Sequence, residues 1–245
     1  MKIVVFLCSS AQRLSKIIVM KKISFSILML LFYQSCVWAA EMSPVLLELS
    51  ERWAILKFDT ARDQRREPLQ ALAAEMEKVV NEQPGNPAAM VWHAVVLSTL
   101  AKDSSNMSGL GLAKQAKRLL EQAELIEPTV LDGTLYTVLG SLYYQVPGYP
   151  LGFGDDEKAE QHLLKALDVN PDNIDANFYY AEFLLHEKRF QPAITAFERV
   201  LALPIRSNNR VADAGLKRAA EAALSTAKKQ LQLKYDNQPE FPHSF

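Results

Sequence analysis

Two histidines are candidates for binding a metal ion. His162 and His186 lie on two different predicted helices. A zinc site would also need cysteine, histidine or carboxylate ligands at short, regular spacings beside them, and the sequence offers none. We therefore predict no metal site and no cofactor.

Three consecutive acids follow a glycine-rich stretch and resemble the start of a calcium loop. They are Asp155, Asp156 and Glu157. A calcium loop needs oxygen ligands at alternate positions over a longer stretch of chain. Acidic residues are also favoured at the start of a helix, where Asp155 would cap free amides and the other two would meet the positive end of the dipole. We interpret the three acids as a helix N terminus.

Motifs of enzyme active sites are missing from the whole sequence. It contains no phosphate-binding loop, no GxSxG nucleophile elbow, no HExxH helix and no cysteine cluster. We predict that the protein is not an enzyme, so its function has to lie in binding.

The amino-terminal stretch over positions 1–40 differs from the rest, because it contains five basic side chains and no acid. The pair Lys21-Lys22 precedes an apolar run over residues 23–33, and Val37-Trp38-Ala39 places small residues where a signal peptidase requires them. We expect residues 1–39 to be a signal peptide cleaved after Ala39, and the mature protein to be periplasmic or secreted.

Three alternatives for this leader stay open. The chain could start at Met20, just ahead of the two lysines. The leader could persist as an uncleaved membrane anchor. Cys36, which follows Ser35, could carry a lipid, although Tyr33 stands where lipidated leaders usually have leucine. In every case we expect membrane contact only through the leader or its lipid.

Cleavage would change the charge of the protein. The leader holds five of the 27 Lys and Arg residues and none of the 28 Asp and Glu residues, which leaves 22 basic against 28 acidic side chains. A mildly acidic chain lacks the basic face that nucleic acid binding needs, so we predict no nucleic acid partner. Both cysteines, Cys8 and Cys36, are also lost, so the mature chain must be stable without disulfides.

One pattern of four residues occurs four times along the chain. Gaps of four and three residues place apolar side chains on one helix face, and a proline five residues later, as in all four copies, cannot continue that helix. The copies are Leu72, Met76, Val79, Pro84; Ala116, Leu120, Ala123, Pro128; Ala159, Leu163, Ala166, Pro171; and Ala193, Phe197, Val200, Pro204. The pattern predicts a helical repeat.

The repeat and the turn residues predict nine helices. Their expected ranges are 44–59, 67–82, 87–101, 110–126, 130–145, 155–169, 174–188, 192–203 and 209–233. The first eight form four pairs, with insertions at 102–109 and 146–154, and the ninth would cap the apolar face of the last pair. We predict an all-α, right-handed helical solenoid over residues 45–233 and a flexible tail over residues 234–245.

The repeat resembles the tetratricopeptide repeat (TPR) from about Val45 to Pro204. In the third copy Gly140 and Tyr143 stand where that family has its glycine and tyrosine, and in the fourth copy Ala181 and Leu184 take these places. A small residue lets the first helix of a pair approach the second closely. The resemblance implies a scaffold for protein–protein interaction.

A narrower resemblance concerns the insertion between the third pair of helices. The stretch from Pro147 to Asp155, followed by Lys158-Ala159 and Asn170-Pro171, is similar to a loop of the exported T-component proteins associated with TRAP transporters. That resemblance implies a periplasmic scaffold that works beside a solute-binding protein and itself holds an apolar small ligand.

In TPR proteins the first helix of each pair lines the binding groove, and the resemblance carries this role to six residues here. They are Thr137, Ser141, Tyr144, Phe178, Glu182 and His186. Lys, Asn and Arg, which form the family's peptide clamp, are absent from these positions. The loop has two interpretations: a connector stiffened by proline, or a lid in which Tyr149, Leu151 and Phe153 fold over the groove. We expect it to be ordered and packed against the groove.

Two hypotheses for the function follow. The first is an exported interaction scaffold that is accessory to a periplasmic binding protein of a TRAP-type system. The alternative is a small apolar-ligand-binding protein that uses the groove, with the loop at residues 147–154 as its lid.

Overall fold

The computed structural model describes residues 42–104 and 106–236, and its helical unit begins at Pro44. These residues form nine α-helices and one 3-10 turn. The helices are α1 Pro44–Phe58, α2 Arg66–Glu82, α3 Pro87–Asp103, α4 Asn106–Ile126, α5 Thr134–Gln145, α6 Asp156–Val169, α7 Ile174–His186, α8 Phe190–Ala202 and α9 Arg210–Asp236; the 3-10 turn is Val130–Gly133. The predicted all-α solenoid of four pairs and a ninth helix is confirmed. The predicted leader lies outside the described residues.

The repeated apolar residues form the contacts between helices. Every helical residue of the four copies is buried, including Leu72, Leu120, Leu163 and Phe197. In the third pair, α5 and α6 approach so closely at Gly140 that an added Cβ would lie 2.6 Å from Cγ of Leu163. The glycine is therefore needed for this close packing.

Side-chain caps define where several helices begin. Asn86 accepts a hydrogen bond from the amide of Ala89 at the start of α3, and Asn173 accepts from the amides of Asp175 and Ala176 at the start of α7. Asp155 accepts from the amide of Lys158 at 3.1 Å. The prediction that Asp155 caps a helix is confirmed, and the cap satisfies amides that the helix itself leaves unpaired.

Helix α4 begins earlier than the sequence predicted. We expected a polar loop over residues 102–109, but α3 continues to Asp103 and α4 starts at Asn106. Gly109 was counted as a loop residue. It instead allows a close approach, because a Cβ at this position would lie 2.7 Å from the carbonyl oxygen of Ala101.

Two further boundaries differ from the prediction. The third pair opens with a 3-10 turn in which Leu131, Asp132 and Gly133 have positive φ, so the regular helix starts at Thr134 instead of residue 130. Helix α9 extends to Asp236, so residues 234–236, which were assigned to the tail, are helical. The rest of the predicted tail lies outside the described residues.

Helix α9 caps the last pair and also contacts the first helix. Leu216 and Ala220 are buried in one cluster with Phe197 and Val200 of α8, as expected for a cap. In addition α9 packs against α1, where Arg218 forms an ion pair with Asp59 at 2.8 Å. Within the described part of the chain, no helix combines the length and the apolar run needed to cross a membrane.

Candidate functional site

A cavity of about 170 Å³ lies between the first helices of all four pairs. Its wall combines rings, aliphatic side chains, hydroxyl groups and three cations. The lining residues are Trp53, Lys57 and Phe58 of α1; Arg65, which precedes α2; Val95, Ser98, Thr99 and Lys102 of α3; Val138, Ser141 and Gln145 of α5; and Tyr179 of α7. The cavity therefore exists only when all four pairs have assembled.

Lys57 is the central cation of this cavity. Its Nζ lies 4.7 Å from the ring centre of Trp53, 4.9 Å from that of Phe58 and 5.2 Å from that of Tyr179. Nζ also donates a hydrogen bond of 2.6 Å to the hydroxyl of Tyr179. Aromatic faces attract a cation, but they replace water only in part.

Burial makes the ammonium group of Lys57 more acidic. It lowers the pKa of this ammonium group to about 8, while the carboxylates of Asp175 and Glu182 act in the opposite direction. Neither carboxylate forms an ion pair with Lys57: Asp175 pairs with Arg206 at 2.7 Å, and Glu182 accepts from Tyr144. The ammonium group of Lys57 is thus partly desolvated and has no direct counterion.

Two anchors hold the wall around Lys57. The guanidinium of Arg65 donates from Nε and Nη2 to Asp103, at 2.5 and 2.8 Å, and from Nη1 to the carbonyl oxygen of Lys57. On the other side, Nε1 of Trp53 donates to Oγ1 of Thr99 at 2.9 Å. These bonds tie α1 to α3 and fix the ring against which Lys57 packs.

A larger cleft of about 670 Å³ adjoins the cavity. It lies between the α3–α4 junction, the end of α5, the loop that follows α5, and His186. The cavity and the cleft share Ser98, Lys102 and Gln145. Most of the cleft is apolar, and Met107 and Leu151 on its border are exposed by 83% and 73%.

Two of the residues predicted to line a groove, Tyr144 and His186, border this cleft, and a third, Glu182, contacts Tyr144. The hydroxyl of Tyr144 donates to Oε2 of Glu182 at 3.3 Å and accepts from Nε2 of Gln145 at 3.0 Å. The ring centres of Tyr144 and His186 are 5.6 Å apart. Burial, followed by the nearby Glu182, raises the pKa of Tyr144 well above its ordinary value, so this hydroxyl stays protonated.

The other predicted helix residues lie deeper. Thr137 is buried and its hydroxyl donates to the carbonyl of Gly133, while Phe178 packs against Phe197 in the core. Neither borders the cavity or the cleft. Ser141 lines the cavity, although its hydroxyl hydrogen is used on the carbonyl of Val138.

The loop after α5 is ordered, but it does not fold over the groove as expected. The amide of Gly154 donates to the carbonyl of Pro147 and that of Asp155 to Tyr143, which hold the loop close to the end of α5. Tyr149 is 94% exposed. The lid hypothesis is wrong for Tyr149, because these backbone bonds leave its side chain at the outer end of the loop.

Phe153 packs in a different direction from the one predicted. Its ring meets that of Tyr143 edge to face at 5.7 Å, and Nζ of Lys117 lies 5.7 Å from its centre. The ring of Tyr143 also stacks on His162 at 5.4 Å. Phe153 is therefore part of a packed row of rings between α4, α5 and α6 and borders neither the cavity nor the cleft.

One group of potential metal ligands was also missed. Among the described residues, Asp156, His186 and Glu187 place one ligand atom each within 4.8 Å of one another, and all three are exposed. Exposed acids of this kind are common without a metal, so the group does not define a site. The sequence could not bring Asp156 to His186, because they lie on different helices of different pairs.

Comparison with solved structures supports the repeat architecture. The thermophilic TPR protein TTC0263 from Thermus thermophilus is 18% identical; the match has a TM-score of 0.52 and covers 75% of this chain and 89% of that one. This chain has a TPR fold. Two structures of MamA match less well, with TM-scores of 0.37 and 0.39 at 19% and 20% identity, over 72% and 78% of this chain and 98% and 96% of theirs.

These similarities are too distant to carry a function, and they do not bear on the T-component resemblance. Neither a protein-family model nor a curated protein matches the chain.

Several residues that line the cavity could have been recognised in the sequence. Three pairs of cavity residues share one helical spacing: Trp53 and Lys57, Ser98 and Lys102, and Ser141 and Gln145. One pair is followed by the next after 45 and then 43 residues, close to the 44 and 43 residues that separate Pro84, Pro128 and Pro171 at the ends of the repeats. They therefore occupy equivalent inner positions on α1, α3 and α5, and the same periodic comparison could have found them.

Proposed function

We propose that this protein is a helical-repeat scaffold that binds a partner protein around the cleft of about 670 Å³. The observation that carries the proposal is the exposure of Met107 and Leu151 on the border of the cleft, with the exposed Tyr149 in the same loop as Leu151. Exposed apolar side chains that cluster beside a cleft are typical of interaction sites, and tyrosine is frequent among residues that dominate binding.

The ordered loop favours binding at this edge. Leu151 and Gly152 donate their amides to the carbonyl of Gly148, so the loop is held by four backbone hydrogen bonds together with those of Gly154 and Asp155. A loop that is already ordered loses little conformational entropy when a partner covers it. The partner would place an apolar side chain in the cleft, against Leu110, Leu142 and Leu151.

The identity and location of the partner rest on the sequence. We propose that residues 1–39 direct export, that the mature protein begins after Ala39, and that the partner is the solute-binding protein of a TRAP-type transport system. The support is the basic-apolar order of the leader and the resemblance of residues 147–155 to the T-component loop. Amino-terminal sequencing of the protein recovered from the periplasm tests the cleavage site.

A binding titration with paired variants tests the proposal. A purified solute-binding protein, encoded beside a TRAP-type permease in the same genome, is titrated against wild type, Leu151→Glu and Leu125→Glu. Leu125 is an equally apolar residue, 88% exposed, at the other end of α4. We expect Leu151→Glu to abolish binding and Leu125→Glu to leave it unchanged. Equal binding by all three proteins contradicts the proposed surface.

A second candidate function is the binding of a small apolar ligand in the cleft. The volume of the cleft, about 670 Å³, lies within the range of small-molecule pockets, roughly 300–1,000 Å³. Of the three loop residues proposed for a lid, only Leu151 borders the cleft. Native mass spectrometry of the gently purified protein separates the candidates, because a ligand of this kind would appear as a stoichiometric adduct.

A further inference from the structure

We propose that the cavity of about 170 Å³ is a binding site for a carboxylate, held between Lys57 and Lys102. This site lies deeper than the surface of the proposed interaction function and does not depend on it. The charges of the lining support it. Lys57, Arg65 and Lys102 border the cavity, and no aspartate or glutamate of the described residues does.

The two lysines are not neutralised by the protein. Arg65 is paired with Asp103, but neither Lys57 nor Lys102 forms an ion pair among residues 42–104 and 106–236. Lys102 is exposed, but Lys57 is partly buried, and a partly buried ammonium without a counterion is costly to the folded state. The lowered pKa of Lys57 reflects this cost. A bound carboxylate would supply the missing charge.

Hydrogen-bond donors also remain available in the cavity. Lys57 uses one of its three N–H groups on Tyr179, which leaves two. Because the hydroxyl of Tyr179 accepts that bond, its own hydrogen is free to donate. Gln145 uses one amide N–H on Tyr144 and retains the other. By contrast, the hydroxyl groups of Ser98, Thr99 and Ser141 donate to backbone carbonyls of their own helices. The free donors are thus on Lys57, which carries the positive charge, and on Tyr179 and Gln145, which line the same cavity.

The shape and polarity of the cavity favour an organic acid over an inorganic anion. About 170 Å³ is several times the roughly 30 Å³ that one water occupies in the liquid. The wall opposite the donors is apolar, with Trp53, Phe58, Val95 and Val138. Phosphate needs donors on all sides, whereas a carboxylate with a few carbon atoms matches donors on one side and rings on the other.

The carboxylate could come from two sources. A short organic acid would fit within the cavity alone. Alternatively, the head of a longer amphiphilic acid would occupy the cavity while its tail passes Ser98, Lys102 and Gln145 into the apolar cleft, since these residues border both spaces. Both sources share the same contact of a carboxylate with Lys57.

Titration of the purified protein with three anions tests the inference. Butyrate, decanoate and phosphate are added at low ionic strength, in a buffer free of carboxylates. Binding is followed by calorimetry and by tryptophan fluorescence, to which Trp53 of the cavity wall contributes. We expect butyrate to bind more tightly than phosphate. A decanoate affinity that exceeds the butyrate affinity identifies the amphiphilic source, and equal affinities identify the short acid.

Three lysine variants make the test specific. Lys57→Met and Lys102→Met keep much of the side-chain length and remove the charge, and each should weaken carboxylate binding about tenfold or more, as expected for a lost charge-assisted hydrogen bond. Lys78→Met, on the exposed side of α2, is the matched control and should bind as wild type does. Lys102 is exposed, so its variant folds even if Lys57→Met does not.

A second measurement is independent of affinity. With labelled lysine, NMR reports the pKa of Lys57 directly, and saturating butyrate should raise it. The inference is overturned if wild type binds neither butyrate nor decanoate, if phosphate binds more tightly, or if Lys57→Met and Lys102→Met both bind as wild type does.

Discussion

Gly215 of α9 lies directly against the ring of Phe58 at the end of α1. A Cβ added to Gly215 would lie 2.2 Å from Cγ and 2.6 Å from Cβ of Phe58, well inside van der Waals contact. The absence of a side chain in the last helix thus allows it to approach the first. Phe58 in turn packs edge to face on Trp53 at 6.0 Å, so this contact reaches the cavity wall.

Replacement of Gly215 by alanine should therefore destabilise the protein. The added methyl group has to displace Phe58 near its Cβ, where a side chain has little freedom, and we expect a net loss of about 1–3 kcal/mol in the free energy of unfolding despite the better helix propensity of alanine. Urea denaturation measures the loss.

Gly111→Ala is the control for this variant, because Gly111 is exposed in α4 and a Cβ there would have no neighbour within 4 Å. It should stabilise the protein by up to about 1 kcal/mol. If Gly215→Ala costs as much in a Phe58→Ala background as in wild type, the clash with Phe58 is not the cause.

The adjacent leucines of α6 test the repeat core. Leu163 is fully buried against Gly140, whereas Leu164 is 43% exposed. Leu163→Ala should cost roughly 2–5 kcal/mol through lost burial and a residual cavity. Leu164→Ala should cost much less, because its side chain already contacts water. Similar losses for both variants, in a denaturation experiment, would contradict the assignment of the repeat face.

Lys57 should make stability depend on pH in a specific direction. Its pKa is about 8 in the folded protein and close to the ordinary 10.5 when unfolded. Between these two pKa values the unfolded chain binds more protons than the folded protein does. The contribution of Lys57 to the free energy of unfolding therefore rises with pH through this window. Below pH 8 Lys57 is charged in both states, and its buried charge destabilises the folded protein.

Lys57→Met should therefore stabilise the protein at pH 7, by about 1–2 kcal/mol, and this gain should shrink toward pH 10. The carboxylates of Asp175, Glu182 and Asp103 support the charged form and Arg65 opposes it, so the gain is the balance of these charges with burial. Thermal unfolding of Lys57→Met and of Lys78→Met at several pH values gives the comparison. A gain that grows with pH would refute the assigned shift.

The loop after α5 should be protected by its backbone and by Phe153. Hydrogen exchange should be slow at the amides of Gly154 and Asp155, which donate to backbone carbonyls. Phe153→Ala should cost about 1–3 kcal/mol, since the half-buried ring packs on Tyr143, while Tyr149→Ala should leave the melting temperature unchanged. Rapid exchange from Tyr149 to Gly154, together with an unaffected Phe153→Ala, would show that the loop stabilises nothing.

The sequence alone determined the helices and their pairing. The spacing of Leu163 and its equivalents, the prolines that end each copy and the cap at Asp155 act within one or two helical turns, so they can be recognised without knowledge of the rest of the fold. That Tyr144, Glu182 and His186 lie near one another could be predicted for the same reason, because a repeat transfers a position from one copy to the next.

Only the tertiary structure decided what the repeats enclose. Lys57 and Tyr179 are 122 residues apart, and Gly215 contacts Phe58 across almost the whole domain. The repeat spacing can place Lys57 on the inner face of α1, but it does not show that the ammonium is buried among three rings, and nothing local distinguishes Gly215 from a weak point in an alanine-rich helix. The small rotation between successive pairs accumulates along a solenoid, and this sum brings α9 to α1 and gathers the cavity residues. The accumulated rotation depends on the packing between every two neighbouring pairs of helices, and no single stretch of sequence specifies it.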